Sequence, residues 1–323
     1  MGQFVDQNVA ESLQRLPGIS ISRDQGEGRF VSVRGIDAGL STVTINGMRI
    51  GTPEDGSRAV PLDVIPTGSV ELLEVTKVPT PDMPGDAIGG SVNVRSASAF
   101  DQQLSYRAEA SYNELSGETS PKGQVTFSDV FDAFGSTENL GVTFGMNYTE
   151  RQMESDNVEA AYDFLDFNGS DVLSVIELQE RKYALTRERT GANLNLEFRP
   201  SETVRLYAST VYSNFKDAES RQRTIYVFED GDLTSFNGSA AVYTDIAEDG
   251  FRRRIRFRTK DQDTLAFNAG GEHDFSQWRL DYNVGISDTK ERVLDEKEGR
   301  FEKTGDALNA DVLIGSGLPS FTI

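Results

Sequence analysis

The chain has 323 residues, room for about two ordinary domains, and its 52 acidic against 32 basic residues give a formal net charge of -20, which excludes a broad nucleic-acid surface because phosphate binding needs clustered cations. The absence of cysteine excludes disulfides and thiolate metal sites, and a single histidine, His273, excludes a two-histidine zinc site within the chain and reads as a turn or rim residue. No apolar run approaches the ~20 residues of a membrane helix. The opening Met1-Gly2-Gln3-Phe4 has neither the basic nor the apolar region of a signal peptide, and Asp6 stands where a myristoylation signal wants Ser or Thr.

From Phe4 to Leu16 the apolar residues Val5, Val9, Leu13 and Leu16 recur every three or four positions, which predicts a short helix with one apolar stripe, ended by Pro17-Gly18. Alternating stretches follow at Gly18 to Ile21, Arg29 to Val33 and Thr42 to Ile45. Asn46-Gly47 supplies the left-handed residues of a tight hairpin turn, with Met48 and Ile50 on the return strand. A β-rich segment from Ser69 to Val78 leads through Pro79, Pro81 and Pro84 to Gly89-Gly90 and a last strand, Ser91 to Arg95. Between these, Gly26-Glu27-Gly28 lacks the third glycine of a dinucleotide fingerprint and reads as a loop. The sum is a small mixed α+β domain rich in turns.

After Ser98 period-two alternation takes over. Val142, Phe144, Met146 and Tyr148 oppose Thr143, Gly145 and Asn147; Leu194, Leu196 and Phe198 oppose Asn193, Asn195 and Glu197; Leu280, Tyr282, Val284 and Ile286 oppose Arg279, Asp281, Asn283 and Ser287. Seven strands are predicted near 104 to 114, 122 to 130, 139 to 153, 183 to 199, 203 to 217, 257 to 273 and 278 to 292. Their connections alternate between short turns, such as Pro200-Ser201-Glu202 and Asp274 to Gln277, and long charged loops near 154 to 182 and 218 to 256. Strands with one apolar and one polar face, joined by short turns at one end and long loops at the other, suit an outer-membrane barrel with lipid outside and a polar lumen inside. A water-soluble β-sandwich or secreted adhesin alternates in the same way and stays open on this pattern alone.

The first hundred residues resemble a known family. Leu16-Pro17-Gly18-Ile19, Val33-Arg34-Gly35, Ile45-Asn46-Gly47, Glu74-Val75 and Ala87-Ile88-Gly89-Gly90-Ser91-Val92-Asn93 occur in the order seen in plug domains of TonB-dependent receptors, over about residues 4 to 96. The resemblance implies a plug domain at 1–98 followed at 99–323 by the first strands of an incomplete antiparallel transmembrane β-barrel. A barrel wide enough to hold a plug needs about twenty-two strands, so the chain is expected to be a fragment, lacking its signal peptide and the segment that meets a TonB-type inner-membrane energy complex. Further expectations are location in the outer membrane of a Gram-negative cell, contact with outer-membrane lipid, and import of a scarce small solute by energy-coupled plug rearrangement, with no cofactor. Thr80 to Gly90 looks more like receptors for carbohydrate than like many siderophore receptors; an iron-chelate receptor is the alternative.

Two plug loops are expected to point outward, away from the helix-linked start of the domain, and to bind the solute: Arg23, Asp24 and Gln25 in one, and Glu54, Asp55, Ser57 and Arg58 of Pro53 to Arg58 in the other. Arg34 and Glu74 are expected, by the resemblance, to lie against the barrel wall and latch the plug. Acidic clusters such as Glu229-Asp230-Gly231 and Asp261-Gln262-Asp263 lack the spacing of a calcium loop, no carboxylate pair is placed across a cleft, and an enzyme reading is rejected. The arginines Arg252, Arg253, Arg254, Arg256 and Arg258 are the one basic concentration; they suit lipopolysaccharide or an acidic ligand, or, for Arg254, Arg256 and Arg258 at period two, a lumen-facing row that balances the acidic interior. On the strand near 203 to 217, alternation sends Val204, Leu206 and Ala208 to lipid and Arg205, Tyr207 and Ser209 to the lumen.

Overall fold

A computed structural model describes residues 8–65, 70–81, 83, 85–96, 99–100, 102–314 and 319–322. The predicted positions Phe4, Val5, Asp6, Ser69, Asp82, Pro84 and Ser98 lie outside them. The chain forms two compact units, one of residues 1–152, 186–217 and 260–294, the other of 153–185, 218–259 and 295–323.

In the first unit, helix α1 (Val9–Leu13) buries Val9, Ala10 and Leu13. Asn8 caps it, accepting from Glu11 N through its side chain, and donates to Gly28 O at 2.7 Å, which ties the helix to the next hairpin. The helix ends earlier than the stripe predicts: Leu16 is exposed and closes a turn onto Leu13 O, since the residue before Pro17 is disfavoured in helix. Strands β1 (Ile19–Asp24) and β2 (Glu27–Val33) pair antiparallel around Gln25-Gly26, both at positive φ. Gly26-Glu27-Gly28 is therefore a turn and strand start and not an extended loop. β3 (Ser41–Ile45), β4 (Met48–Arg49), β5 (Leu72–Thr76) and β6 (Gly90–Arg95) form a sheet in the order β4-β3-β6-β5, with β3 and β6 parallel. Asn46 and Gly47 make the β3–β4 turn with φ of 50° and 80°. Val33, Val43, Ile45, Leu62, Val92 and Val94 form the core with α1.

The second element set is a seven-stranded sheet of sequential neighbours: β7 (Gln103–Asn113), β8 (Glu118–Ala133), β9 (Ser136–Phe167), β10 (Ser170–Ser201), β11 (Val204–Val227), then β14 (Phe251–Phe275) and β15 (Trp278–Glu302). All seven predicted strands are present, in one open antiparallel sheet. Facing follows the alternation: Thr143, Asn147, Asn193, Asn195 and Glu197 are buried, whereas Phe144, Met146, Tyr148, Leu194 and Leu196 are exposed. The buried side meets the plug, whose core takes in Val211, Phe215 and Ala266 from the wall.

The expected long loops are largely strand. β9 and β10 run on to meet at a two-residue turn, Asn168-Gly169, with φ of 55° and 81°. β12 (Asp232–Phe236) and β13 (Ala240–Ile246) lie within 218 to 256 and, with β16 (Leu308–Leu313) and β17 (Ser320–Thr322), form a sheet in the order β12-β13-β16-β17 in the second unit, around buried Phe228, Ala241, Tyr243 and Val312. In 154 to 182 charged residues on both strand faces hid this in the sequence.

Candidate functional site: the plug held against its wall

Alternation places Arg187 and Arg189 of β10 on the face turned to the plug, and the β1–β2 turn delivers Glu27 to them. Glu27 is fully buried and accepts from Arg187 and Arg151 at 2.5 Å each and from Arg189 at 2.8 Å. Arg187, itself buried, also bonds Asp217 at 3.1 Å and Gln25 Oε1 at 2.6 Å, while Arg189 Nε donates to Asp63 O at 2.7 Å. Burial alone would raise the Glu27 carboxyl, but Arg189, Arg187 and Arg151 outweigh it and hold the group well below the usual carboxylate range.

Arg29 extends the network between the loops, pairing with Asp24 at 2.6 Å and with Glu54, which also accepts from Gln262 Nε2 of the wall at 3.2 Å. Asp63 lies beneath it, fully buried, with Arg29 Nε 3.9 Å away and no hydrogen bond on either carboxylate oxygen. The four guanidiniums Arg29, Arg151, Arg187 and Arg189 are answered by Glu27, Asp24, Glu54 and Asp217, which leaves Asp63 only the long contact to Arg29. Burial accordingly pushes its carboxyl up, against the pull of Arg29, Arg189 and Arg187.

A second, uncharged seam joins the β3–β4 turn to the wall. Asn46 Nδ2 donates to Ser209 Oγ at 3.2 Å, Asn268 Nδ2 donates to Asn46 O at 3.1 Å, and Ser96 Oγ donates to Asn195 Oδ1 at 3.2 Å. Beside it a cavity of about 680 Å³ is lined by Glu74, Asn93, Arg95, Asn195, Glu197 and Arg205.

The two sequence-predicted loops come together through Arg29. Their expected position is corrected in one respect: Arg23 bonds Glu11 at 3.3 Å and Gln14 at 3.2 Å, so the first loop lies beside α1 and not at the far end of the domain. The cause is the packing of α1 on the β1–β2 hairpin, where a Cβ on Gly28 would come within 3.5 Å of Ala10 Cβ. Asp24, Gln25 and Glu54 are engaged in the plug–wall network. In the second loop Ser57 Oγ accepts from Ala59 N at 3.1 Å, Arg58 pairs with Asp86 at 3.0 Å, and Asp55 is exposed.

The expected latch residues are placed differently from Glu27. Arg34 is exposed in a left-handed turn, φ 56°, its N–H donating to Gly18 O. Glu74 accepts from Asn93 at 2.7 Å and from Arg95 at 3.2 Å, both residues of the plug itself. Among the described residues, the ion pairs from plug to wall are carried by Glu27 with Arg151, Arg187 and Arg189, together with the looser contact of Asp24 and Arg187 at 3.7 Å. Sequence reasoning missed Glu27, although an acid between two glycines and Arg187 and Arg189 two apart on a polar strand face were visible signals.

The TonB-dependent Receptor Plug Domain family matches residues 1–91. The vitamin B12 transporter BtuB of Vibrio vulnificus is 26% identical over 254 residues, 73% of this chain and 39% of that protein. BtuB of Photobacterium profundum is 37% identical over 92 residues, 28% of this chain and 15% of that protein. The chain thus spans well under half the length of these curated relatives. Among solved structures, the unliganded ferric citrate transporter FecA aligns with 95% of this chain and 58% of its own at 12% identity, TM-score 0.39. The siderophore receptor PirA from Acinetobacter baumannii aligns with 96% and 56% at 10% identity, TM-score 0.38. Residues 1–91 thus belong to the TonB-dependent receptor plug domain family, and sequential antiparallel strands follow them in the chain.

Proposed function

We propose that this protein is an outer-membrane receptor that captures a scarce solute from outside and imports it when an inner-membrane TonB-type complex rearranges the plug, 1–98, within the wall that begins at 99. The observation that carries the reading is the two-sided wall. One face grips the plug through a buried ion cluster, while the other leaves Val125, Phe127, Phe144, Met146, Leu194, Leu196, Leu265 and Phe267 exposed, as lipid-facing residues must be. Near the short turns, Phe134 stacks edge-on to Phe198 at 5.2 Å, and Phe275 stacks on Trp278 at 4.0 Å and beside His273, an arrangement suited to a membrane-interface girdle. A soluble adhesin has no use for such a band.

The solute-facing residues of the plug, on this reading, are in the two linked loops, with Arg23, Asp55, Ser57 and Arg58 available at their surface. Carbohydrate, suggested by Thr80 to Gly90, and corrinoid, suggested by the two vitamin B12 transporters among its relatives, are the solute classes to be separated first, with iron chelates third. Uptake of a radiolabelled oligosaccharide, cyanocobalamin and a ferric chelate by cells with and without the gene decides among them. Import of one, abolished by deletion and by collapse of the inner-membrane proton gradient, is expected; equal uptake of all three in the deletion strain overturns the transport reading.

A further inference from the structure

The second unit holds a concentration of cations that the plug-facing cluster does not use. Arg221 and Arg223 lie on β11, and Arg252, Arg254, Arg256 and Arg258 on β14, its neighbour in the sheet. Alternation puts each set on one face. On β11 the two arginines share the parity of buried Glu219, and on β14 the four even-numbered arginines are the less exposed set, opposite Arg253 and Phe257, both exposed. Arg223 feels the charges of Arg221, Arg254 and, from β10, Arg181, against that of Glu298.

Acids answer only part of this row. Glu219 takes Arg256 at 2.7 Å and Arg258 at 3.6 Å, Glu296 reaches Arg256 at 3.7 Å, Glu298 reaches Arg254 at 3.6 Å, and Glu159 takes Arg181 at 2.5 Å. Arg221, Arg223 and Arg252 have no hydrogen bond or ion pair to any described residue, and the Nε atoms of Arg223, Arg252, Arg254, Arg256 and Arg258 are shielded from solvent without an acceptor. In a chain with 52 acidic residues, neutralising these positions would have been easy. Crowded guanidiniums repel one another, and their planar forks match carboxylate and phosphate oxygens two at a time.

We propose that this face is an anion subsite, binding a carboxylate- or phosphate-bearing solute in preference to a neutral sugar. The proposal rests on the receptor reading above and narrows its solute class. Arg221, Arg223 and Arg252 are the central ligands because they are the uncommitted ones; Arg254, Arg256 and Arg258 supply a fixed positive field.

The test uses the receptor purified from membranes of its producing cells, titrated calorimetrically with citrate, with inorganic pyrophosphate and with neutral maltohexaose, each at low and raised salt. The triple variant Arg221→Ala/Arg223→Ala/Arg252→Ala strands no carboxylate and relieves like-charge repulsion, so it should fold at least as well as the parent, which heat-modifiable migration checks. Its affinity for citrate or pyrophosphate should fall at least about ten-fold, since charge-assisted hydrogen bonds are lost. Arg253→Ala, on the opposite face, should leave affinity unchanged, and the triple lysine variant should recover part of the salt-sensitive binding but not the full affinity. Whichever of citrate and pyrophosphate loses more identifies carboxylate or phosphate as the preferred group. Equal anion affinity in parent and folded triple variant, or binding of maltohexaose alone, overturns the anion subsite while leaving import, measured separately by uptake, to stand or fall on its own.

Discussion

Replacing Glu27 by Gln removes the charge at the centre of the plug–wall cluster while keeping the side chain's shape. Removing one partner of a buried ion pair costs about 3 to 5 kcal/mol, because the remaining charge loses compensation in a dry site. Here the lower end applies. Arg187 keeps Asp217 at 3.1 Å and Gln25 at 2.6 Å, Arg189 keeps Asp63 O at 2.7 Å, and Arg151, which loses its ion pair, is partly exposed to solvent, so no guanidinium is left both buried and unanswered. Hydrogen exchange of the β2 amides in the membrane-embedded receptor reads the effect directly, because opening the hairpin releases Glu27 from the wall. A loss of about 3 kcal/mol corresponds to protection lower by about two orders of magnitude. Glu74→Gln is the matched control: its carboxyl is exposed and pairs only within the plug, so it should cost under about 1 kcal/mol. Equal losses for the two variants, or unchanged β2 protection in Glu27→Gln, would refute the assignment of the latch to Glu27.

The Glu27 carboxyl is held below its ordinary range, so its stabilising contribution is complete above the unfolded value of about 4.3 and is lost only as pH falls through the lower folded value; β2 protection corrected for intrinsic exchange should lose nothing on this account between neutral pH and about pH 4.5. Asp63 has the opposite sign: its folded carboxyl is raised, so stability is present below about 3.9 and is lost as pH rises through the folded value. Asp63→Asn should therefore raise the denaturation midpoint at pH 7, with the gain shrinking on acidification, and no gain at neutral pH would show the carboxylate to be compensated. Leu206→Arg on the lipid face should cost about 2 to 4 kcal/mol near the midplane in bilayer refolding. Arg205→Leu should also be costly because Arg205 bonds Glu197 and Glu272 at 2.8 Å each; only a silent Arg205→Leu would contradict those contacts. Alanine at Arg23, Asp55 and Arg58 together should weaken solute binding with the plug fold intact, and unchanged calorimetric affinity would move the site away from these loops.

The wall was legible where physics demands a two-faced strand. Phe144, Met146 and Tyr148 against Thr143 and Asn147 announce their facing because one side is apolar and exposed and the other polar and buried. That logic lapses in 154 to 182, where charged residues fall on both strand faces, and β12 and β13 are too short to carry a long alternation, although Asn168-Gly169 and Asn237-Gly238 stand at the two hairpin turns. Motif order located the plug but misassigned its grip. Arg34 belongs to its motif through the left-handed backbone it shares with Gly35, a local requirement, whereas the latch at Glu27 depends on Arg187 and Arg189 about 160 residues away, a pairing that no local pattern encodes.

Movement of the plug against the wall is the centre of the account, and a reversible cross-link measures it. Ser96 Oγ and Asn195 Oδ1 meet at 3.2 Å across the uncharged seam, and the chain has no cysteine of its own, so Ser96→Cys/Asn195→Cys introduces a single disulfide between plug and wall. Oxidised cells should bind the imported solute at their surface yet fail to accumulate it, and reductant should restore accumulation within the same culture. Undiminished accumulation with the disulfide shown to be formed would contradict the account.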